Sequence, residues 1–108
     1  MIIWEFPLET TDINKVEMPV GAEILTCQVQ IGQFGLSTPC LWALVNPAAP
    51  KETRIIRIIG TGHPVLNEDL HYISTIQMLE GKLVFHVFEK KVPQPIKTKI
   101  RRKEKTNG

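Results

Sequence analysis

Apolar and polar residues alternate along most of this chain, and that alternation restricts the fold more than any other feature. Apolar side chains occupy every second position over residues 4–8 and 25–31, which places them on one face of an extended strand. Residues 40–45 are apolar at every position, as expected of a central strand that is covered on both faces. Further apolar runs predict strands over residues 54–59, 72–79 and 83–89.

Glycine and proline residues separate these runs. They cluster at residues 19–21, 32–35, 46–50 and 60–64. Glu80-Gly81-Lys82 predicts a short hairpin turn between the last two runs. Six or seven strands at this spacing predict a mainly β domain, built as a compact antiparallel sandwich or barrel. One short helix is expected with Asn67 as its N-cap, continuing through His71, and a second short turn is expected around residues 11–14.

The length of 108 residues fits one domain, and no apolar run approaches the roughly 18–20 residues that a membrane-spanning helix needs. The first 25 residues carry five acidic side chains and no apolar segment of the kind found in signal peptides. We therefore expect a soluble cytoplasmic protein without membrane contact.

Charge is divided unequally along the chain. Residues 1–89 contain five basic and ten acidic side chains, a net charge of −5, whereas residues 90–108 contain eight basic and one acidic, a net charge of +7. This division predicts a β-rich domain over residues 1–89 and a basic extended tail over residues 90–108. The tail is either a solvated extension or an arm for an acidic protein surface or for weak, non-specific nucleic-acid binding. The tail residues expected to meet nucleic acid are Lys97, Lys99, Arg101, Arg102, Lys103 and Lys105.

The two cysteines, Cys27 and Cys40, are expected to be reduced thiols packed as small apolar groups. A structural zinc site needs paired ligands at short spacing, and neither Cys-x2-Cys nor His-x3-His occurs in the chain. We expect neither a metal nor a cofactor.

The segment Gly60-Thr61-Gly62-His63, followed by a proline, is the candidate ligand-binding or partner-binding loop. Glycines permit positive φ and close backbone approach, so that successive N–H groups can bind an anion. Thr61 offers a hydroxyl, and His63 can bind a ligand or transfer a proton. Arg57 on the preceding strand completes the candidate site. The alternative is a purely structural turn in which His63 caps a neighbouring strand.

No catalytic constellation can be assembled from the sequence. Glu68 and Asp69 are adjacent rather than placed as an acid–base pair, and no serine has a nucleophile-elbow setting. His86 lies in a strand that is apolar on both faces and is expected to bond a carbonyl. An enzyme centred on His63 would need that histidine to meet a second polar group, such as Arg57 or Glu68, in one pocket.

Several segments occur in a recognisable order along the chain, namely residues 3–8, 18–22, 24–30, 41–50, 57–64 and 85–89. The most specific are Gly60-Thr61-Gly62-His63-Pro64 and Phe85-His86-Val87-Phe88-Glu89. Over residues 2–89 the chain resembles a family of small uncharacterised phage and bacterial proteins. The resemblance implies a phage or prophage setting in a bacterial host and no particular activity. Members of that family end soon after the last strand, so the resemblance implies nothing about the tail.

The leading hypothesis is a small, non-enzymatic, phage-type accessory protein that binds a host protein or a small anionic ligand, for example in counter-defence. The alternatives are a nucleic-acid-associated protein that uses the basic tail and a small enzyme centred on His63. Because short strands leave sheet edges uncovered, we also expect a homo-oligomer.

Overall fold

A computed structural model describes residues 1–32, 35–65 and 69–91 of the chain. Strands occupy most of these ranges, and every neighbouring pair is antiparallel. They form two sheets, ordered β1-β4-β3 and β2-β5-β7-β6. The strands are β1 (Ile2–Pro7), β2 (Ile13–Pro19), β3 (Glu23–Ile31), β4 (Ser37–Val45), β5 (Lys51–Gly60), β6 (Leu70–Met78) and β7 (Leu83–Lys90). The predicted mainly β, antiparallel fold of six or seven strands is confirmed, with seven strands in two sheets.

The core lies between the inner faces of the two sheets. Leu41 and Val45 of β4 are fully buried, as are Ile56 of β5 and Val87 of β7. β4 is central in its sheet, as its apolar run predicted. At one side of the core a hydrogen bond joins the two sheets directly. The Ser74 hydroxyl of β6 donates it to the main-chain oxygen of Cys27 in β3, at 2.6 Å.

Alternation predicted the inner face of β1 correctly, and that of β3 for Cys27 and Val29 but not for Leu25. Trp4 and Phe6 pack against the core from β1. In β3 the register shifts between Ile24 and Thr26, so a bulge turns Ile24 inward in place of Leu25. Leu25 is 45% exposed. A bulge adds one residue to one strand, which reverses the faces that strict alternation assigns on one side of it.

β2 has no counterpart among the predicted strands. Ile13 and Asn14 were expected in a turn, yet they begin a strand that pairs with β5 along its whole length, from Ile13 opposite Arg57 to Pro19 opposite Lys51. β2 is an edge strand in which the apolar Ile13 is exposed and the polar Asn14 is half-buried, so apolar and polar residues do not alternate along its whole length and its signal is weak.

The expected helix after Asn67 is wrong for Leu70 and His71. Asn67 and Glu68 lie outside the described residues, and Leu70 and His71 belong to β6, where they pair with β7. Cross-strand pairing therefore replaces the helix. The described ranges contain no α-helix, and in them no helix is long and apolar enough to cross a membrane.

The expected end of the domain at Glu89 falls inside β7, which continues to Lys90. The next residue, Lys91, donates its N–H to the main-chain oxygen of Asp69 at 2.8 Å. The basic residues of the tail from position 97 onward lie outside the described residues.

Candidate functional site

The Gly60–His63 segment forms a tight turn where β5 ends. The His63 N–H donates to the main-chain oxygen of Gly60 at 3.1 Å, which closes a four-residue turn. Gly62 occupies its third position with a φ of +88°. A positive φ at that position is what a type II turn requires, and glycine adopts it without steric cost.

The imidazole of His63 folds back over Gly60. A Cβ built at position 60 would lie 3.2 Å from His63 Nδ1 and 3.3 Å from Cε1. Glycine at position 60 therefore gives the ring its resting place, whereas glycine at position 62 supplies the backbone conformation. The two glycines of the turn have separate physical reasons.

The structure brings Arg57 and His63 together. Both line a depression of about 260 Å³ on the outer side of β5. The main-chain oxygen of Asp12 accepts hydrogen bonds from Arg57 Nε at 3.1 Å and from the Ile58 N–H at 3.0 Å. The bond from Nε holds the Arg57 guanidinium against the loop before β2, and the bond from Ile58 joins that loop to the main chain of β5. We call this concavity the Arg57 depression; its lining residues are Asp12, Arg57, Ile58, Ile59, His63 and Pro64.

Thr61 points to different partners. Its N–H donates to the main-chain oxygen of Val84 at 3.2 Å, and its hydroxyl lies 2.8 Å from His86 Nε2. The other ring nitrogen of His86 lies 3.1 Å from the Thr75 hydroxyl, which is 2.6 Å from the Tyr72 hydroxyl. His86 thus bonds two hydroxyls instead of the expected carbonyl, and it ties the turn to β6 and β7.

The sequence analysis missed Asp12, Tyr72 and Thr75 as neighbours of the candidate site. Tyr72 and Thr75 would lie on opposite faces of a regular strand because they are three residues apart. The register of β6 shifts between Tyr72 and Ser74, and this bulge places both hydroxyls beside β7 on the same face. The network of hydroxyl groups exists because of this bulge, and the alternation of apolar and polar residues does not predict where a bulge lies.

Arg54 lies on the opposite face of β5 from Arg57, because an odd number of positions separates them along the strand. Its guanidinium forms a two-point interaction with the Glu89 carboxylate and donates to the main-chain oxygen of Ala22 at 3.0 Å. The Glu89 carboxylate raises the pKa of Arg54, with a smaller contribution from Glu52, although partial burial opposes that shift. Arg54 is therefore a half-buried structural cation, separate from the Arg57 depression.

Both cysteines are buried and unbonded to each other. Burial raises the pKa of Cys27 to about 11. Burial also raises the pKa of Cys40 to about 12, and the neighbouring Glu5 carboxylate adds to that shift through a hydrogen bond and its charge. Both thiols therefore stay protonated at neutral pH. Among the residues that the structure describes, no three His, Cys, Asp or Glu side chains form a group that could hold a metal ion.

The fold and the turn together define a small, all-β domain with a concave candidate site where β5 of its larger sheet ends. The chain belongs to the family described as a domain of unknown function (DUF7352), whose model matches residues 1–98. The match extends nine residues beyond Glu89, into the basic tail. Neither the curated proteins nor the solved structures gave a match to this chain.

Proposed function

We propose that this chain is a non-enzymatic binding domain that recognises an anionic group in the Arg57 depression. The observation that carries the proposal is that Arg57 and His63, from a strand and from the following turn, line one concavity. A guanidinium and an imidazole both donate charge-assisted hydrogen bonds to phosphate or carboxylate oxygens. The turn positions the second donor, because Gly60 and Gly62 fix where the His63 ring lies.

The volume of the depression limits the size of the group that it can bind. Its volume of about 260 Å³ is below the roughly 300–1,000 Å³ of pockets that enclose a drug-sized ligand. A single phosphate or carboxylate fits such a space, with the remainder of the ligand outside it. The anionic group therefore belongs to a small ligand or to a side chain or terminus of a host protein.

A phage or prophage setting, with a role in modulating a host factor or a defence system, is part of the same proposal. It is supported by the resemblance to phage and bacterial proteins that the Gly60–Pro64 and Phe85–Glu89 segments carry. A bound anion in the Arg57 depression is compatible with this role, because signalling nucleotides and phosphorylated host proteins both present phosphate groups.

Native mass spectrometry of the full chain with inorganic pyrophosphate as the probe tests the proposal. We expect one pyrophosphate per chain, and His63→Ala should weaken binding about 10- to 100-fold because one charge-assisted hydrogen bond contributes about 1.5–3 kcal/mol. His71→Ala is the matched control, since His71 is exposed on β6 and outside the depression. Equal binding by both variants contradicts the site, and a His63→Ala chain that unfolds shows that His63 is structural.

The enzyme alternative meets part of its own condition, because His63 and Arg57 share one depression. Glu68, the other expected partner, lies outside the described residues. The two readings separate in the same experiment. A binding domain returns pyrophosphate at its original mass after incubation, whereas a hydrolase converts it to two phosphate ions.

The second candidate function is nucleic-acid binding by the tail, and the charge of +7 over residues 90–108 favours it. If about four basic residues meet phosphates, the logarithm of affinity should fall with the logarithm of salt concentration at a slope of roughly −3 to −4. The full chain and a chain ending at Lys91 should be compared on RNA and DNA over a salt series. Equal binding by both, or by neither, removes nucleic acid as the partner.

A further inference from the structure

An acidic groove of about 460 Å³ separates β1 from β2. Within the described ranges β1 pairs only with β4 and β2 only with β5, so each has one edge without a strand beside it. The groove is closed at one end by Asn14, whose side-chain amide exchanges two 2.9 Å hydrogen bonds with the backbone of Glu9. We call it the β1–β2 groove; it is lined by residues 5–7, 9 and 13–17.

The groove combines negative charge with an apolar floor. Glu5, Glu9 and Glu17 line it together with one cation, Lys15. All four are exposed. Phe6 and Val16 line it as well, and each is partly buried against the hydrophobic core. An occupant of this groove would meet carboxylates on its solvent side and apolar side chains beneath.

We propose that residues 96–101 of this same chain dock in the β1–β2 groove. Ile96, Thr98 and Ile100 alternate with Lys97, Lys99 and Arg101 in this segment. An extended segment with this pattern has one apolar face and one face with three positive charges. The first face matches the apolar floor and the second matches the carboxylates, while the two unpaired strand edges offer main-chain hydrogen bonds, as in β-strand addition.

The tail is long enough to reach the groove. The first residues of the tail that can enter it lie at about position 96. β7 ends beside β5, which lies beside β2, so an occupant at the free edge of β2 is three strand spacings, about 15 Å, from β7. The registers of β2, β5 and β7 place Glu89, one residue before the end of β7, at the level of Asn14. Five residues beyond Lys91 span at most about 17 Å when extended, and Pro93 and Pro95 favour an extended path.

Docking would also keep three of the eight basic residues of the tail away from phosphates. The three basic residues of the docked segment would face Glu5, Glu9 and Glu17 instead of a nucleic acid. Salt should release them, because the charge attraction is screened beyond about 3 Å at an ionic strength of about 1 M but reaches about 30 Å at about 0.01 M.

Backbone ¹⁵N relaxation of the full chain tests the proposal directly. At low ionic strength we expect order parameters near 0.85 for residues 97–101, as in the strands, and values below about 0.6 at high ionic strength. Order parameters below about 0.6 for these residues at low ionic strength overturn it. Binding of duplex DNA at low salt would also overturn the proposal if the backbone amides of Glu9 and Glu17 kept the same chemical shifts and the same mobility at low and high salt.

Charge-reversal variants identify the groove as the partner. Glu9→Lys with Glu17→Lys should release the segment, whereas Glu23→Lys with Glu80→Lys, which adds the same charge at exposed sites outside the groove, should leave it ordered. Lys97→Glu with Lys99→Glu should release the segment without changing any residue of the folded domain. Combining this pair with Glu9→Lys and Glu17→Lys should restore the high order parameters of the segment. Equal responses of the groove and control pairs, or no restoration, contradict the proposal.

Discussion

The His63 ring lies against Gly60 so closely that a Cβ at position 60 would stand 3.2 Å from its Nδ1. Together with the positive φ of Gly62, this contact explains why the turn contains two glycines around one threonine. The turn is built around the placement of an imidazole, and that imidazole shares a depression with Arg57.

The two glycines should respond differently to alanine. Gly62→Ala forces a Cβ into the left-handed region, which costs about 1–2 kcal/mol of stability. Gly60→Ala requires only a small shift of the His63 ring. The free energy of unfolding of this variant should therefore fall by less than about 1 kcal/mol, while pyrophosphate should bind more weakly. Urea unfolding and the pyrophosphate dissociation constant measure both effects.

Gly32→Ala is the control, because a Cβ there meets only an ordinary 3.8 Å contact with the Leu36 oxygen. Should Gly60→Ala lower stability as strongly as Gly62→Ala, the His63 ring is locked in place and cannot adjust.

The Arg54–Glu89 pair should contribute measurably to stability. Glu89→Gln leaves the Arg54 guanidinium half-buried without its carboxylate, and we expect a loss of about 1–3 kcal/mol. Both side chains are less than one-fifth exposed, at 18% and 17%. Glu80→Gln at the exposed hairpin turn should change stability by less than about 0.5 kcal/mol. A double-mutant cycle with Arg54→Met that gives no coupling energy would show that the pair contributes nothing.

Local sequence signals predicted the strands with strong alternation and the turns with strong breakers. The hairpin turn at Glu80-Gly81-Lys82 is present, and the Lys82 N–H donates to the main-chain oxygen of Leu79. β2 was missed because Ile13 and Asn14 break its alternation and because its partner β5 lies far along the chain. Pairing with β5 supplies the stability that the local pattern of β2 does not reveal.

The residues of the candidate site stay a prediction, and what the structure adds is their grouping. Arg57 and His63 share the depression, whereas Thr61 turns away to His86. That division depends on which way each side chain leaves a tight turn. The network of Tyr72 and Thr75 depends on a bulge in β6. Neither turn direction nor bulge position has a signature in single-residue spacing.

The buried thiols make stability fall at alkaline pH. The folded pKa values of Cys27 and Cys40, about 11 and about 12, lie above the ordinary value of 9.0. Above pH 9 the unfolded chain therefore loses thiol protons that the folded chain retains, and the free energy of unfolding decreases. The decrease approaches about 1.4 kcal/mol per pH unit for each thiol until the folded pKa is reached. Below pH 9 the thiols add no pH dependence.

Urea unfolding over this pH range, for the unmodified chain and for Cys27→Ala with Cys40→Ala, isolates the effect of the thiols. All other side chains are the same in both chains, so the difference between the two slopes reports the cysteines alone. Identical slopes would show that the thiols ionise equally in the folded and unfolded states.

We expect the chain to form a homodimer through the outer face of the β1-β4-β3 sheet. Ile3 of β1 lies opposite Leu44 of β4 on that face, beside Trp42, and Ile3 is 56% exposed. Ile3→Lys should give the monomer mass in light scattering without unfolding the chain, whereas Leu36→Lys, at a residue 67% exposed outside the strands, should not. A monomer mass for the unmodified chain at every concentration would contradict the dimer.

Titration of the ¹⁵N-labelled full chain with inorganic pyrophosphate tests the central claim most directly. If the Arg57 depression binds an anionic group, saturable chemical-shift changes should concentrate at Arg57 and at the Gly60–His63 turn. The same titration of His63→Ala should need about 10- to 100-fold more pyrophosphate. Shift changes confined to residues 97–105, or an unchanged titration of His63→Ala, would contradict the assignment of the binding site to this turn.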